Sequence, residues 1–103
     1  MTTDGINHPL SEAEATRRIH EMARDPSVSR VFSGHARQRM CERQVHADWV
    51  DHVLREGRVD ETRHENGTWR YRVAFVDNWG RTAVVTAIPQ IETLVIVTVT
   101  RSE

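Results

Sequence analysis

The chain is 103 residues long, 38% hydrophobic and 28% charged, with a formal net charge of −1. That length suits one core and is short for two, and the balance excludes a disordered chain and a broadly basic nucleic-acid binder. A single cysteine, Cys41, excludes an internal disulfide, and no apolar run reaches the ~18 residues of a membrane-spanning helix.

The N-terminus lacks the basic-then-apolar layout of a signal peptide, so a cytoplasmic location is expected. Residues 1–10, ending near His8-Pro9, carry no pattern and read as a flexible arm. Ser11 followed by Glu14 is a capping-box signature, and Leu10, Ala15, Ile19, Met22 and Ala23 keep helical spacing as far as Arg24. Asp25-Pro26-Ser27 stops that helix. Val28 to Phe32 is a short β-prone stretch. Ser33 then offers a hydroxyl cap for a brief helix from about His35 to Arg43. A third helix begins near His46 to Asp48, with Trp49, Val50, Val53 and Leu54 on one face and Gly57 as its C-terminal cap.

From Arg58 the period changes from helical to alternating. Arg58 to His64 reads as a strand, Asn66-Gly67 as a type I′ hairpin turn, and Thr68 to Val76 as the returning strand. Trp69, Tyr71, Val73 and Phe75 share one face of it, so Arg70 and Arg72 point the other way. After the turn Asp77-Asn78-Trp79-Gly80, two β-branched runs follow, Arg81 to Ile88 and Ile91 to Thr100. The last is so continuously apolar that it should lie inside the sheet. The expected fold is one α+β domain over residues 1–103, with a helical half (11–57) packed on one side of a four-stranded antiparallel sheet (58–101).

Charge is unevenly distributed. Arg30, Arg37, Arg39 and Arg43 outweigh Glu42 over residues 30–43, whereas carboxylates outnumber arginines over residues 48–65, so the two patches are complementary. Every cationic side chain is an arginine. That usage suits bidentate phosphate binding and is equally produced by a GC-rich genome.

His35, Arg39 and Arg43 follow i, i+4, i+8 spacing and therefore share one side of the short helix. A histidine moves protons near neutrality, and a guanidinium holds a phosphate in a bidentate fork. RNA cleavage by 2′-hydroxyl attack needs both and no metal. The plainer reading is that His35 caps its helix while the arginines pair with Glu42 or the acidic third helix. On the sheet, Arg70 and Arg72 can extend a phosphate track and Tyr71 can stack on a base, with Arg72 the stronger candidate. Against this, Tyr71 fits the core with Trp69 and Val73. His46, His52 and His64 lack metal-pair spacing, so neither metal nor cofactor is expected. Trp79 is either an exposed interface anchor or folds back on the sheet, and Cys41 beside Met40 reads as a small buried residue.

The run His35-Ala36-Arg37-Gln38-Arg39-Met40-Cys41-Glu42-Arg43, with the helix ending in Glu56-Gly57, a hairpin, and Val97-Thr98-Val99, resembles a small bacterial domain-of-unknown-function family with the pattern HAxxRMxxR. That family is similar to the RelE- and MqsR-like toxins, whose wider superfamily includes barnase-like and colicin-type ribonucleases. The resemblance covers about residues 30–101 and implies a RelE-like fold, metal-independent endoribonuclease activity on RNA, free or ribosome-bound, and neutralisation by an antitoxin. It assigns His35 as general acid or base, Arg39 and Arg43 as phosphate and transition-state clamps, and Thr98 as a hydrogen-bonding orienter. The glycine usual after the second motif arginine is replaced by Gln44. Two rivals share the fold: a non-enzymatic module that binds protein or nucleic acid through the same arginines, and an inactive relative retained as an antitoxin or phage regulator.

Overall fold

The computed structural model describes residues 9–90 and 92–102. Its elements in chain order are α1 (Glu12–Arg24), β1 (Ser29–Phe32), α2 (Gly34–Arg43), α3 (Ala47–Glu56), β2 (Arg58–Glu65), β3 (Thr68–Asp77), β4 (Gly80–Gln90) and β5 (Thr93–Ser102). The expected arm falls largely outside the described residues, but its end is anchored. Leu10 packs against the core, and its N–H donates to the Tyr71 hydroxyl at 3.1 Å.

Local chemistry sets the helix ends. The Ser11–Glu14 capping box closes the start of α1 in both directions, and the Ser33 hydroxyl accepts the Ala36 N–H at the start of α2. Gln44 ends α2 in the left-handed conformation, φ 57° and ψ 44°, the position that the expected glycine would have filled. Gly57 is the C-terminal cap of α3, as expected, its N–H donating to Val53 O, but with an extended and not a left-handed backbone. Its need is steric, because a Cβ there would lie 2.7 Å from the carbonyl oxygens of Ala74 and Val53.

The sheet has five strands in the order β1-β5-β4-β3-β2. The expected four-stranded antiparallel meander is therefore corrected to a mixed sheet, because β1 joins it parallel to β5, pairing Ser29 with Thr93 and Phe32 with Ile96. Four residues carry too little periodicity to name a partner more than sixty positions away. Their ladder pairs the outer edge of β5 from Thr93 to Ile96, which makes that apolar strand internal over this stretch, as its composition implied. α2 continues along β5 where β1 ends, tied by the Ser33 N–H to Ile96 O and by the Ser33 hydroxyl to Val97 O.

α1 and α3 cover one face of the sheet, α1 against β2 and α3 across β3 and β4. The core lies between them, with Ile19, Val53, Leu54, Tyr71, Val84 and Ile96 fully buried. Thr86 is buried there too, its hydroxyl donating to Val95 O at 3.0 Å. Arg30 joins the basic and acidic patches through Asp51 at 3.1 Å. Cys41 is exposed, contrary to expectation, because Ala36 and Met40 form the inward stripe of α2 and Cys41 is rotated off it.

Candidate functional site

The second face of the sheet holds a trough of about 280 Å³. Glu61, Arg63 and Glu65 of β2 and Arg70 and Arg72 of β3 form its charged side. Val85 of β4 and Val97, Thr98 and Thr100 of β5 form the rest. Strand alternation explains the grouping: Tyr71 and Val73 face the helices, so Arg70 and Arg72 face away. Glu61, Arg72, Val85 and Thr98 stand in one row, each the ladder partner of the next.

Two irregularities flank that row. The register of β2 shifts between Val59 and Glu61, leaving Asp60 as an extra residue, and that of β4–β5 shifts so that Val97 is extra between Ile96 and Thr98. A bulge turns two consecutive side chains toward one face and increases local twist. Asp60 and Glu61 consequently both reach Arg72, and Val97 joins Thr98 in the lining.

The arginines sit in a network of carboxylates. Arg72 contacts Asp60 through Nε and Glu61 through Nη1, each at 2.8 Å. Glu61 also accepts from Arg63 Nε at 2.6 Å, Asp60 pairs with Arg81, and Glu65 holds Arg70 Nη1 at 3.3 Å. Burial raises the pKa of the Asp60 carboxyl, but the Arg72 hydrogen bond and the charges of Arg72 and Arg81 outweigh it and hold the group below 3.8. The bond to Asp60 likewise raises Arg72, against its desolvation. Both partners stay ionised at neutral pH.

Of the sequence-derived site residues, the trough gathers Arg70, Arg72 and Thr98. His35, Arg39 and Arg43 are not in its lining. His35 and Arg43 are exposed on α2, and Arg39 pairs with Glu42 at 3.0 Å, as the plainer reading supposed. Ser33 bonds the start of α2 to Val97, a lining residue, so the helix stripe begins beside one wall of the trough. Tyr71 does not belong with the arginines. It is fully buried on the core face, held by Leu10, and has no ring face to offer a base.

Asp60, Glu61, Arg63, Glu65 and Arg81 escaped the sequence reading. Parity along β2 places Glu61, Arg63 and Glu65 together, but pairing them with Arg70 and Arg72 needs the hairpin register, and Asp60 needs the bulge. His52 stacks on Trp49 at 4.9 Å between ring centres and meets Phe75 edge-on, and His64 lies against Trp69. Among the described residues no three His, Cys, Asp or Glu side chains converge as a metal site. Among the described residues no helix is long and apolar enough to cross a membrane. Trp79 is 71% exposed at the β3–β4 turn and so does not fold back on the sheet.

Residues 32–101 match the model of a protein family described as a domain of unknown function, DUF4258. No curated protein and no solved structure matches the chain significantly.

Proposed function

The chain belongs to the DUF4258 family, and we propose that it is a metal-independent endoribonuclease acting as the toxin of a toxin–antitoxin or related conflict system. The observation that carries this reading is the convergence of Arg70, Arg72 and Thr98, from two strands that are not neighbours, in one trough on the uncovered sheet face. Guanidiniums and a hydroxyl are the donors a phosphodiester requires. The rest of the reading, including an antitoxin partner, comes from the similarity to RelE- and MqsR-like toxins of the family that the His35–Arg43 run resembles.

In the proposed reaction the 2′-hydroxyl oxygen attacks the adjacent phosphorus and the bond from phosphorus to the 5′-oxygen breaks. The products carry a 2′,3′-cyclic phosphate and a 5′-hydroxyl. The proton lost by the 2′-hydroxyl goes to a base, and the leaving oxygen is protonated in turn; the resemblance gives this work to His35. Arg72 and Arg70 stabilise the charge that develops on the phosphoryl oxygens, with Arg39 and Arg43 clamping the flanking backbone from α2. Thr98 orients the reacting group from β5.

Induced expression of the wild type beside His35→Ala tests the proposal. Wild-type protein is expected to arrest growth and degrade cellular RNA, and His35→Ala to do neither. A harmless wild type with intact RNA overturns it. A second reading, a non-enzymatic nucleic-acid or protein-binding module, is favoured by one observation: Arg39 and Arg72 are already engaged by Glu42, Asp60 and Glu61. Under that reading both proteins retain RNA or partner binding and neither cuts.

A further inference from the structure

Arg70 differs from the other arginines of the trough. Arg63 and Arg72 each bond a carboxylate through Nε at 2.8 Å or less, whereas Arg70 reaches Glu65 only at 3.3 Å and only through Nη1. Its Nε is buried and is the one buried side-chain nitrogen or oxygen among the described residues without a hydrogen-bond partner. A buried charged donor without an acceptor is rare in folded proteins, since desolvation is uncompensated. The Arg70 side chain lines the trough, so this unspent donor belongs to a group that an incoming acceptor meets.

Charge decides which acceptor fits. Arg63, Arg72 and the neighbouring Arg81 share Asp60 and Glu61 in one chain of ion pairs, and Arg70 pairs apart from it with Glu65, so four guanidiniums meet three carboxylates in and beside the trough, leaving a single positive charge. A monoanion neutralises it, and a dianion leaves the patch negative. A phosphodiester is a monoanion near neutrality, whereas a phosphate monoester is mostly a dianion. The apolar side chains of Val85 and Val97 beside the arginines also suit a nucleoside more than a hydrated inorganic ion.

We infer that Arg70 is the anion-binding centre of the trough, and that the trough takes an internal phosphodiester of a nucleic-acid strand in preference to a terminal phosphate or free phosphate. Asp60 and Glu61 act as fixed counterions that orient Arg72 and trim the patch to one charge. Glu65 is the competitor that the diester displaces from Arg70. The inference rests on the proposed action on RNA for its biological substrate, but it is tested by binding alone.

The full chain is titrated with a deoxy-dinucleoside phosphate, which has a single diester and no 2′-hydroxyl to permit cleavage. Nucleoside 5′-monophosphate and inorganic phosphate form the other arms, and the arginine Nε–H signals are followed by NMR. The diester is expected to bind tightest and to shift the Arg70 Nε–H signal. Arg70→Lys keeps the charge but lacks that N–H, so it should weaken binding at least tenfold. Should this variant lose its fold, Glu65→Gln decides, with diester affinity expected to rise several-fold.

Tighter binding of the monophosphate, an unmoved Arg70 signal, or unchanged affinity in the deciding variant overturns the inference. Diester binding at Arg70 by a chain that leaves RNA intact would sink the ribonuclease reading and spare this one. RNA cleavage that Arg70→Lys leaves untouched, with diester binding equally untouched, would do the reverse.

Discussion

The two faces of the sheet are made by the same strands and differ in almost every physical respect. On the covered face Tyr71, Val73, Val84, Ile96 and Val99 are buried under α1 and α3. On the open face the intervening positions hold Glu61, Arg63, Arg70, Arg72 and Thr98 around a trough. The covered face concentrates the buried apolar area that stabilises the fold, and the open face gathers charge with little apolar contact. Buried apolar area and clustered charge are thereby separated by one residue of strand parity, and substitutions on the two faces should have different signatures.

The largest expected effect lies on the covered face. Ile96→Ala removes a fully buried side chain between β1 and β4 and should cost about 3 kcal/mol in chemical denaturation; a cost below 1 kcal/mol would mean the core is less tightly filled than the burial implies. Tyr71→Phe keeps the ring but leaves the Leu10 N–H without its acceptor, and a loss of about 1 kcal/mol is expected.

On the open face Asp60→Asn should cost at most about 1 kcal/mol, since the carboxylate is partly exposed. Its pH dependence is the sharper signature. The folded-state pKa of Asp60 is depressed, so its contribution is present above its ordinary value of 3.8 and is lost as pH falls through the lower folded-state value. The stability gap between wild type and Asp60→Asn should be constant near neutrality and close below pH 3.8. A gap that widened on acidification would contradict the ion-pair account.

The smallest effect has the opposite sign. Gln44→Gly relieves a left-handed backbone at the end of α2 and should stabilise by about 0.5 kcal/mol, read as a small rise in melting temperature.

Much of the fold was legible because its local signals agree: the Ser11–Glu14 box, the Ser33 cap, Asn66-Gly67 with positive φ at both turn positions, and the alternation of Trp69 to Phe75. The partner of β1 was not legible, since parallel pairing across more than sixty residues leaves no trace in a four-residue strand. Nor were the bulges at Asp60 and Val97, which depend on how neighbouring ladders close and not on any turn residue. The site inherited both limits. Parity separated Arg70 and Arg72 from Tyr71, but the carboxylates opposite them needed the β2–β3 register, and the relation of the α2 stripe to the sheet depended on the β5 edge.

The most direct test of the open face as the working surface is cleavage of RNA by the purified chain in the presence of a chelator, with Arg72→Ala beside Arg17→Ala, an exposed arginine on α1. The expected result is cleavage to 2′,3′-cyclic phosphate ends by the wild type and Arg17→Ala, slowed at least about 100-fold by Arg72→Ala. RNA left intact by the wild type, or cut at an unchanged rate by Arg72→Ala, would contradict the account.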